Sequence, residues 1–125
     1  MQEKYNICIV IGTRPEAIKL APLIIEFKKN KKFKLIVILT GQHQEMVSQV
    51  MKLFNLESDI NLRVMKKNQT LSYLTSEIIN KLEEEFLKFE PDLVLVQGDT
   101  TTAMASSLAA FYKKIPVGHV EAGLR

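Results

Sequence analysis

The sequence predicts an α/β domain in which a parallel sheet carries helices on both faces. Three observations carry that prediction. Short apolar runs alternate with helix-period patterns along the whole chain. The runs are continuously apolar, as strands buried on both faces require. Most of them empty into a short polar loop that opens a helix. The 125 residues suffice for one such domain and are too few for two. With 46% hydrophobic and 25% charged residues, the composition is that of a globular chain and not of a disordered one.

Tyr5–Ile11 reads as the first strand, short and rich in β-branched residues. Gly12-Thr13-Arg14-Pro15-Glu16 follows as a loop. Pro15 suits the first helical position, and Glu16 complements the dipole of the first turn. Ile18, Ala21, Ile25 and Lys28 mark the helix to about Lys29, with Pro22 implying a kink or a missing hydrogen bond. Phe33–Leu39 is the second strand, and Thr40-Gly41-Gln42-His43 turns into a helix near Gln44–Phe54. Asn55–Leu62 reads as loop and Arg63–Met65 as a short third strand. Thr70 caps a long helix with the stripe Leu71, Leu74, Ile78, Leu82 and Phe86. Glu90-Pro91-Asp92 is a turn, and Leu93–Val96 is a fourth strand. Gln97-Gly98-Asp99-Thr100 leads into a helix carrying Ala103, Met104, Ser107, Leu108 and Phe111. Pro116–Val120 is the last strand. Strands that alternate with helices in this way imply right-handed crossovers and a parallel sheet.

Several function classes fall away. A single cysteine, Cys8, allows no disulfide framework, and its apolar strand reads as core and not as a reactive thiol. The run after Met1–Asn6 is too short for a secretory leader. No apolar run approaches the roughly 20 residues of a membrane span. These features predict a soluble cytoplasmic protein with no membrane partner. The net charge is +3, much of it from Lys28, Lys29, Lys31, Lys32 and Lys34. That cluster reads as a solvated helix end and not as a nucleic-acid surface, because its one aromatic, Phe33, falls in a strand. No histidine pair has metal-ligand spacing, so no metal is expected.

Open parallel sheets bind ligands outside the carboxyl ends of their strands. Here those exits carry Thr13-Arg14, Gln42-His43, Asp99-Thr100-Thr101-Thr102 and Glu121. Each loop opens a helix whose N–H groups and dipole favour an anion, which suits a phosphorylated ligand. Arg14 is either a surface arginine or a fork onto phosphate or carboxylate; its place between Gly12 and Pro15 favours the fork. Lys19, one turn on, is either solvated or approaches the same ligand. Asp99 either caps the next helix or serves as a site acid. If the fourth and last strands are neighbours, Asp99 and Glu121 stand at adjacent strand ends and can divide acid and base work. His119 reads as a packed, hydrogen-bonded strand residue, and His43 as a loop residue equally placed to touch substrate or solvent. The glycine-rich nucleotide loops and the serine nucleophile elbow are absent.

Gly12-Thr13-Arg14-Pro15-Glu16-Ala17-Ile18-Lys19, Thr40-Gly41-Gln42-His43, Gln69-Thr70-Leu71, Gly98-Asp99-Thr100-Thr101-Thr102 and His119-Val120-Glu121-Ala122-Gly123-Leu124-Arg125 together resemble the non-hydrolysing UDP-N-acetylglucosamine 2-epimerases. The resemblance implies that residues 1–125 form a single Rossmann-like domain, the N-terminal domain portion of a GT-B-like fold, whose C-terminal UDP-binding domain is absent. It implies cytoplasmic interconversion of UDP-GlcNAc and UDP-ManNAc for surface polysaccharide synthesis, by elimination of UDP to a 2-acetamidoglucal and re-addition. Asp99 and Glu121 would be catalytic carboxylates. Arg14, Lys19, Gln42, His43, Thr101 and Arg125 would bind substrate. No metal or organic cofactor would be required. A homodimer is implied for the full-length parent. The 125-residue chain alone is expected to be catalytically incompetent and to self-associate through the face that the missing domain would cover. Some bacterial members carry a second, regulatory UDP-GlcNAc site; Glu45 and Asn68 stand here where those members often have Gln and Arg, which predicts weak binding of a second diphosphate.

Overall fold

The computed structural model describes residues 4–121. Its elements, in chain order, are β1 (Tyr5–Ile11), α1 (Arg14–Lys29), β2 (Phe33–Leu39), α2 (Gln44–Leu53), β3 (Ile60–Asn61), α3 (Leu71–Phe89), β4 (Leu93–Gln97), α4 (Thr101–Tyr112) and β5 (Val117–Val120). The five strands form one parallel sheet in the order β3-β2-β1-β4-β5. This is the Rossmann-like α/β architecture that the alternating pattern predicts.

The continuous apolar strands are explained by burial on both faces. Ile7, Ile9 and Ile11 of β1 point into one layer with Ala17, Leu20 and Ile24 of α1 and Val47 and Val50 of α2. Cys8 and Val10, one residue out of phase, point into the other with Leu74, Ile78, Leu82 and Phe86 of α3 and the small residues of α4. The alternation of Cβ directions along a strand thus divides one apolar run between two cores. Cys8 is fully buried, and burial pushes its thiol well above the ordinary range, so it is a packing residue.

β1, β2, α1 and the cap of α3 fall where the pattern puts them. The Thr70 hydroxyl accepts from Tyr73 N at 3.0 Å, satisfying one of the helix's free donors. Thr70→Ala is expected to cost about 1 kcal/mol in a urea unfolding series. Helix α1 runs through Pro22 as a single element, but its buried face is Ala17, Leu20, Ala21 and Ile24. Ile18 is 43% exposed and Ile25 half-buried, one residue out of phase with the predicted stripe. Apolar residues occur on most sides of this helix, so periodicity does not select its face. Leu71 is likewise 70% exposed, because the first turn of α3 lies beyond the core that Leu74 enters. In α4 the small residues Ala105, Ser106, Ala109 and Ala110 face inward, while Met104 and Phe111 are exposed.

The third strand is Ile60–Asn61 and not Arg63–Met65, and it lies inside the stretch expected to be loop. Arg63 has a left-handed backbone, φ 53°, which cannot continue a ladder. Leu62 and Val64 still bond to the end of β2, through Leu39 O at 2.8 Å and Thr40 O at 3.0 Å, and both are buried. The apolar pattern there reports burial without regular pairing. The last strand begins at Val117 and not at Pro116; Pro116 has no N–H to give, and its carbonyl accepts from Val94 N at 3.0 Å. The lysines near Asn30 gather at the α1–β2 connection, the opposite sheet edge from the strand exits. No helix among the described residues is long and apolar enough to cross a membrane.

Candidate functional site

The strand order places β1 beside β4, the point at which the chain reverses its direction of progress across the sheet. A crevice opens there at the carboxyl edge of such sheets. The loops after β1, β2 and β4, and Glu121 directly after β5, all stand at this edge because every pairing is parallel.

Glu16 organises the β1–α1 loop. It sits in the first turn of α1 and is 1% exposed. Its Oε1 accepts from Gly12 N at 2.6 Å and from Thr13 N at 3.0 Å. Its Oε2 accepts from the Thr100 hydroxyl, across the switch point. Only the Glu16-to-Thr13 half of the reciprocal capping box is closed; the Thr13 hydroxyl is buried with no partner among the described residues. Burial raises the Glu16 pKa above its ordinary 4.5, and the hydrogen bonds from Thr100, Gly12 and Thr13 oppose that shift. A folded state that holds this proton more tightly than the unfolded chain gains stability below pH 4.5 and loses it as pH rises through the raised folded value. Glu16→Gln is therefore expected to flatten the decline of the urea midpoint above pH 4.5, relative to the parent chain measured alongside.

A second set of bonds runs beneath Gly12. Thr102 donates to Gln42 Oε1 at 2.7 Å, and Thr40 donates to Thr102 Oγ1 at 3.2 Å. Gln42 N in turn donates to Thr40 Oγ1 at 3.2 Å. Thr40 and Thr102 are fully buried. The exits of β2 and β4 thus meet across β1, which is possible only because residue 12 has no Cβ. A Cβ there would lie 1.9 Å from Thr102 Oγ1 and 2.8 Å from Thr40 Oγ1.

The two carboxylates of the sequence reading stand at adjacent strand ends. β4 and β5 are neighbours, and Gly98 N donates to Val120 O at 3.0 Å; Asp99 and Glu121 are the residues that follow this pair. Lys19 Nζ lies 2.6 Å from Glu121 Oε1 and 2.6 Å from Oε2, and Gln97 Nε2 donates to Oε1 at 3.0 Å. Glu121 has a left-handed backbone, φ 58°, which costs a non-glycine residue local strain. Asp99 does not cap α4: Thr100 does, accepting from Ala103 N at 3.1 Å. The Asp99 carboxylate is exposed and has no side-chain hydrogen bond or ion pair to another described residue. It borders an open groove of about 620 Å³ with Met104, Leu108 and Phe111 of α4 and His119 of β5, within the usual volume of ligand sites. His119 is exposed and not packed, and its Nε2 bonds to Gly98 O.

Arg14 is the first residue of α1, exposed, and forms no ion pair among the described residues. Lys19 is turned to Glu121 and not to Arg14. His43 stands at the N-cap of α2 without a side-chain cap; its N–H donates to Gly12 O at 3.1 Å. Thr101 is half-buried at the start of α4, and Gln42 is committed to Thr102. Arg125 lies outside the described residues. Just ahead of α1, Glu16 accepts from the Gly12 and Thr13 amides, so an anion at this helix would meet the N–H groups of its first turn.

From sequence Glu16 is expected only to complement the helix dipole, and Gln97 to lie in a loop; the structure gives Glu16 three donors and ends β4 at Gln97. The spacing Thr13-x-x-Glu16 is the one local signal that points to Glu16. Nothing local points to Thr100 or Gln97 as partners.

The family model for UDP-N-acetylglucosamine 2-epimerase matches residues 25–125. A UDP-N-acetylglucosamine 2-epimerase of Neisseria meningitidis serogroup A is 54% identical over 120 residues, which cover 96% of this chain and 32% of that protein. The crystal structure of the Neisseria meningitidis UDP-GlcNAc 2-epimerase bound to UDP-GlcNAc superposes with a TM-score of 0.92 at 53% identity, over 96% of this chain and 32% of that one. That of Methanocaldococcus jannaschii, in complex with UDP-GlcNAc and UDP, gives 0.89 at 38% identity, over 96% and 33%. The chain spans about a third of the length of the relatives it matches.

Proposed function

Since the chain belongs to the UDP-N-acetylglucosamine 2-epimerase family, we propose that it forms the N-terminal, substrate-facing part of an isomerase that interconverts UDP-GlcNAc and UDP-ManNAc. The observation that carries this reading is the pair of carboxylates, Asp99 and Glu121, following the Gly98–Val120 hydrogen bond at adjacent strand ends. Inversion at C2 of the sugar requires removal of its proton by a positioned base and return of a proton on the opposite face. Expulsion of UDP from C1 leaves a 2-acetamidoglucal, and its re-addition regenerates the glycosyl bond. Asp99 and Glu121 are the acid/base pair. Lys19 and Gln97 fix the direction of the Glu121 carboxylate. Arg14 meets the negative charge that develops on the departing diphosphate. Gln42, His43, Thr101 and Arg125 complete the substrate contacts, although Gln42 must exchange its bond to Thr102 to do so.

In this reading residues 1–125 are an N-terminal Rossmann-like domain of a GT-B-like enzyme. The enzyme is a cytoplasmic homodimer that feeds polysaccharide synthesis, and its chemistry needs no metal or organic cofactor. The 125-residue chain by itself produces no UDP-ManNAc and self-associates at high concentration.

The test is a hybrid in which this chain replaces the corresponding 120 residues of the Neisseria relative. In deuterated water the hybrid is expected to form UDP-ManNAc with deuterium at C2. A folded hybrid that neither forms product nor exchanges the C2 proton overturns the reading. Turnover by the 125-residue chain alone would overturn its assignment as inactive.

A further inference from the structure

The loop bearing Arg14 and the loop bearing Asp99 come from opposite sides of the switch point. Glu16 is bonded to both, with Oε1 on the Gly12 and Thr13 amides and Oε2 on the Thr100 hydroxyl. A capping glutamate needs only the Thr13 amide to secure its helix, and it can do that at the surface. This one is buried, at a desolvation cost that its three donors offset. What burial adds is the bond to residue 100, 84 positions away in sequence. Thr100 in turn caps α4 through Ala103 N, so the same hydroxyl fixes the residue next to Asp99 and the start of the helix behind it.

We propose that Glu16 is a positioning residue for the epimerase reaction, holding the Arg14 loop and the Asp99 loop at one separation so that the phosphate-facing cation and the proton-handling carboxylate meet the same substrate. The inference rests on the function proposed above. It also makes a structural demand that is independent of activity. The group at position 16 must accept from two amides and reach Thr100 at once. Glutamine can do this, with its carbonyl on the amides and its NH2 on the Thr100 oxygen. Aspartate, one methylene shorter, reaches one loop at a time, and alanine reaches neither.

The test has two arms. In the hybrid enzyme, with activity expressed per folded molecule, Glu16→Ala is expected to lower kcat by about 10²-fold, the cost of a misplaced catalytic group, with KM within about 3-fold. Glu16→Gln is expected to return kcat to within about 3-fold of the parent. In the 125-residue chain, Glu16→Ala is expected to move the amide resonances of Asp99, Thr100 and Thr101, and Glu16→Gln to leave them near their parent positions. Unchanged kcat per folded molecule in Glu16→Ala overturns the positioning role and leaves Glu16 a stabilising residue. Unmoved resonances of residues 99–101 in Glu16→Ala overturn it even where the unsubstituted hybrid proves inactive, a result that would count against the proposed function instead.

Discussion

Replacing Asp99 by asparagine in the hybrid enzyme is expected to lower kcat by about 10²- to 10⁴-fold, the usual contribution of a positioned acid or base. The structure makes this a clean substitution. The Asp99 carboxylate is exposed and does not cap α4, a role that Thr100 fills. Surface changes of this kind move stability by roughly 0.5 kcal/mol or less, so the loss will not come from unfolding. Glu121→Gln is expected to fall in the same range for a different reason. The amide keeps an oxygen for Gln97 or Lys19 but gives up the ion pair with Lys19, and it can no longer exchange a proton. C2 deuterium wash-in separates the two roles. The variant lacking the base for UDP-GlcNAc exchanges no C2 proton from that substrate. The variant lacking its partner loses exchange chiefly from UDP-ManNAc. Asp99→Asn with activity within 3-fold of the parent would remove Asp99 from the chemistry.

The second large effect is on stability. Gly12→Ala is expected to destabilise the chain by about 3 kcal/mol, at the upper end for overpacking a buried site. The added Cβ would lie 1.9 Å from Thr102 Oγ1, 2.7 Å from Thr102 Cβ and 2.8 Å from Thr40 Oγ1. Neither threonine can swing away without giving up the bonds that join Thr40, Thr102 and Gln42. Such a loss is a large share of the 5–15 kcal/mol typical of a domain. Urea unfolding followed by far-ultraviolet circular dichroism measures it directly. Thr102→Ala removes the nearest atom, so the double variant is expected to lose less than the sum of the singles. An unchanged midpoint for Gly12→Ala would mean that the exits of β2 and β4 do not meet beneath residue 12.

Much of the architecture is readable in the sequence because it is local. β1 and β2 are largely apolar runs between polar loops, interrupted only by Asn6 and Lys34, and both are found at their predicted bounds. The α3 stripe at Leu74, Ile78, Leu82 and Phe86 is buried as its spacing requires. Even the adjacency of Asp99 and Glu121 follows once β4 and β5 are known to pair. The misses share a cause. α1 is apolar on most sides, so its buried face is chosen by what packs on it. Arg63–Met65 carries a strand-like pattern, but the left-handed backbone at Arg63 keeps it out of the ladder, which β3 supplies at Ile60–Asn61 instead.

Sequence by itself determined the parallel α/β class, the order of the elements, the family, and which loops carry ionisable side chains. Those properties reside in short-range periodicity and in motifs a few residues long. The tertiary structure alone decided which side chains those loops pair. Lys19 meets Glu121 from 102 residues away, and Glu16 meets Thr100 from 84. It also decided that Glu16 accepts from the Gly12 and Thr13 amides just ahead of α1. Hydrogen bonds and ion pairs act only at contact distance, and contact between such distant residues exists only after the parallel sheet has brought β1, β4 and β5 side by side.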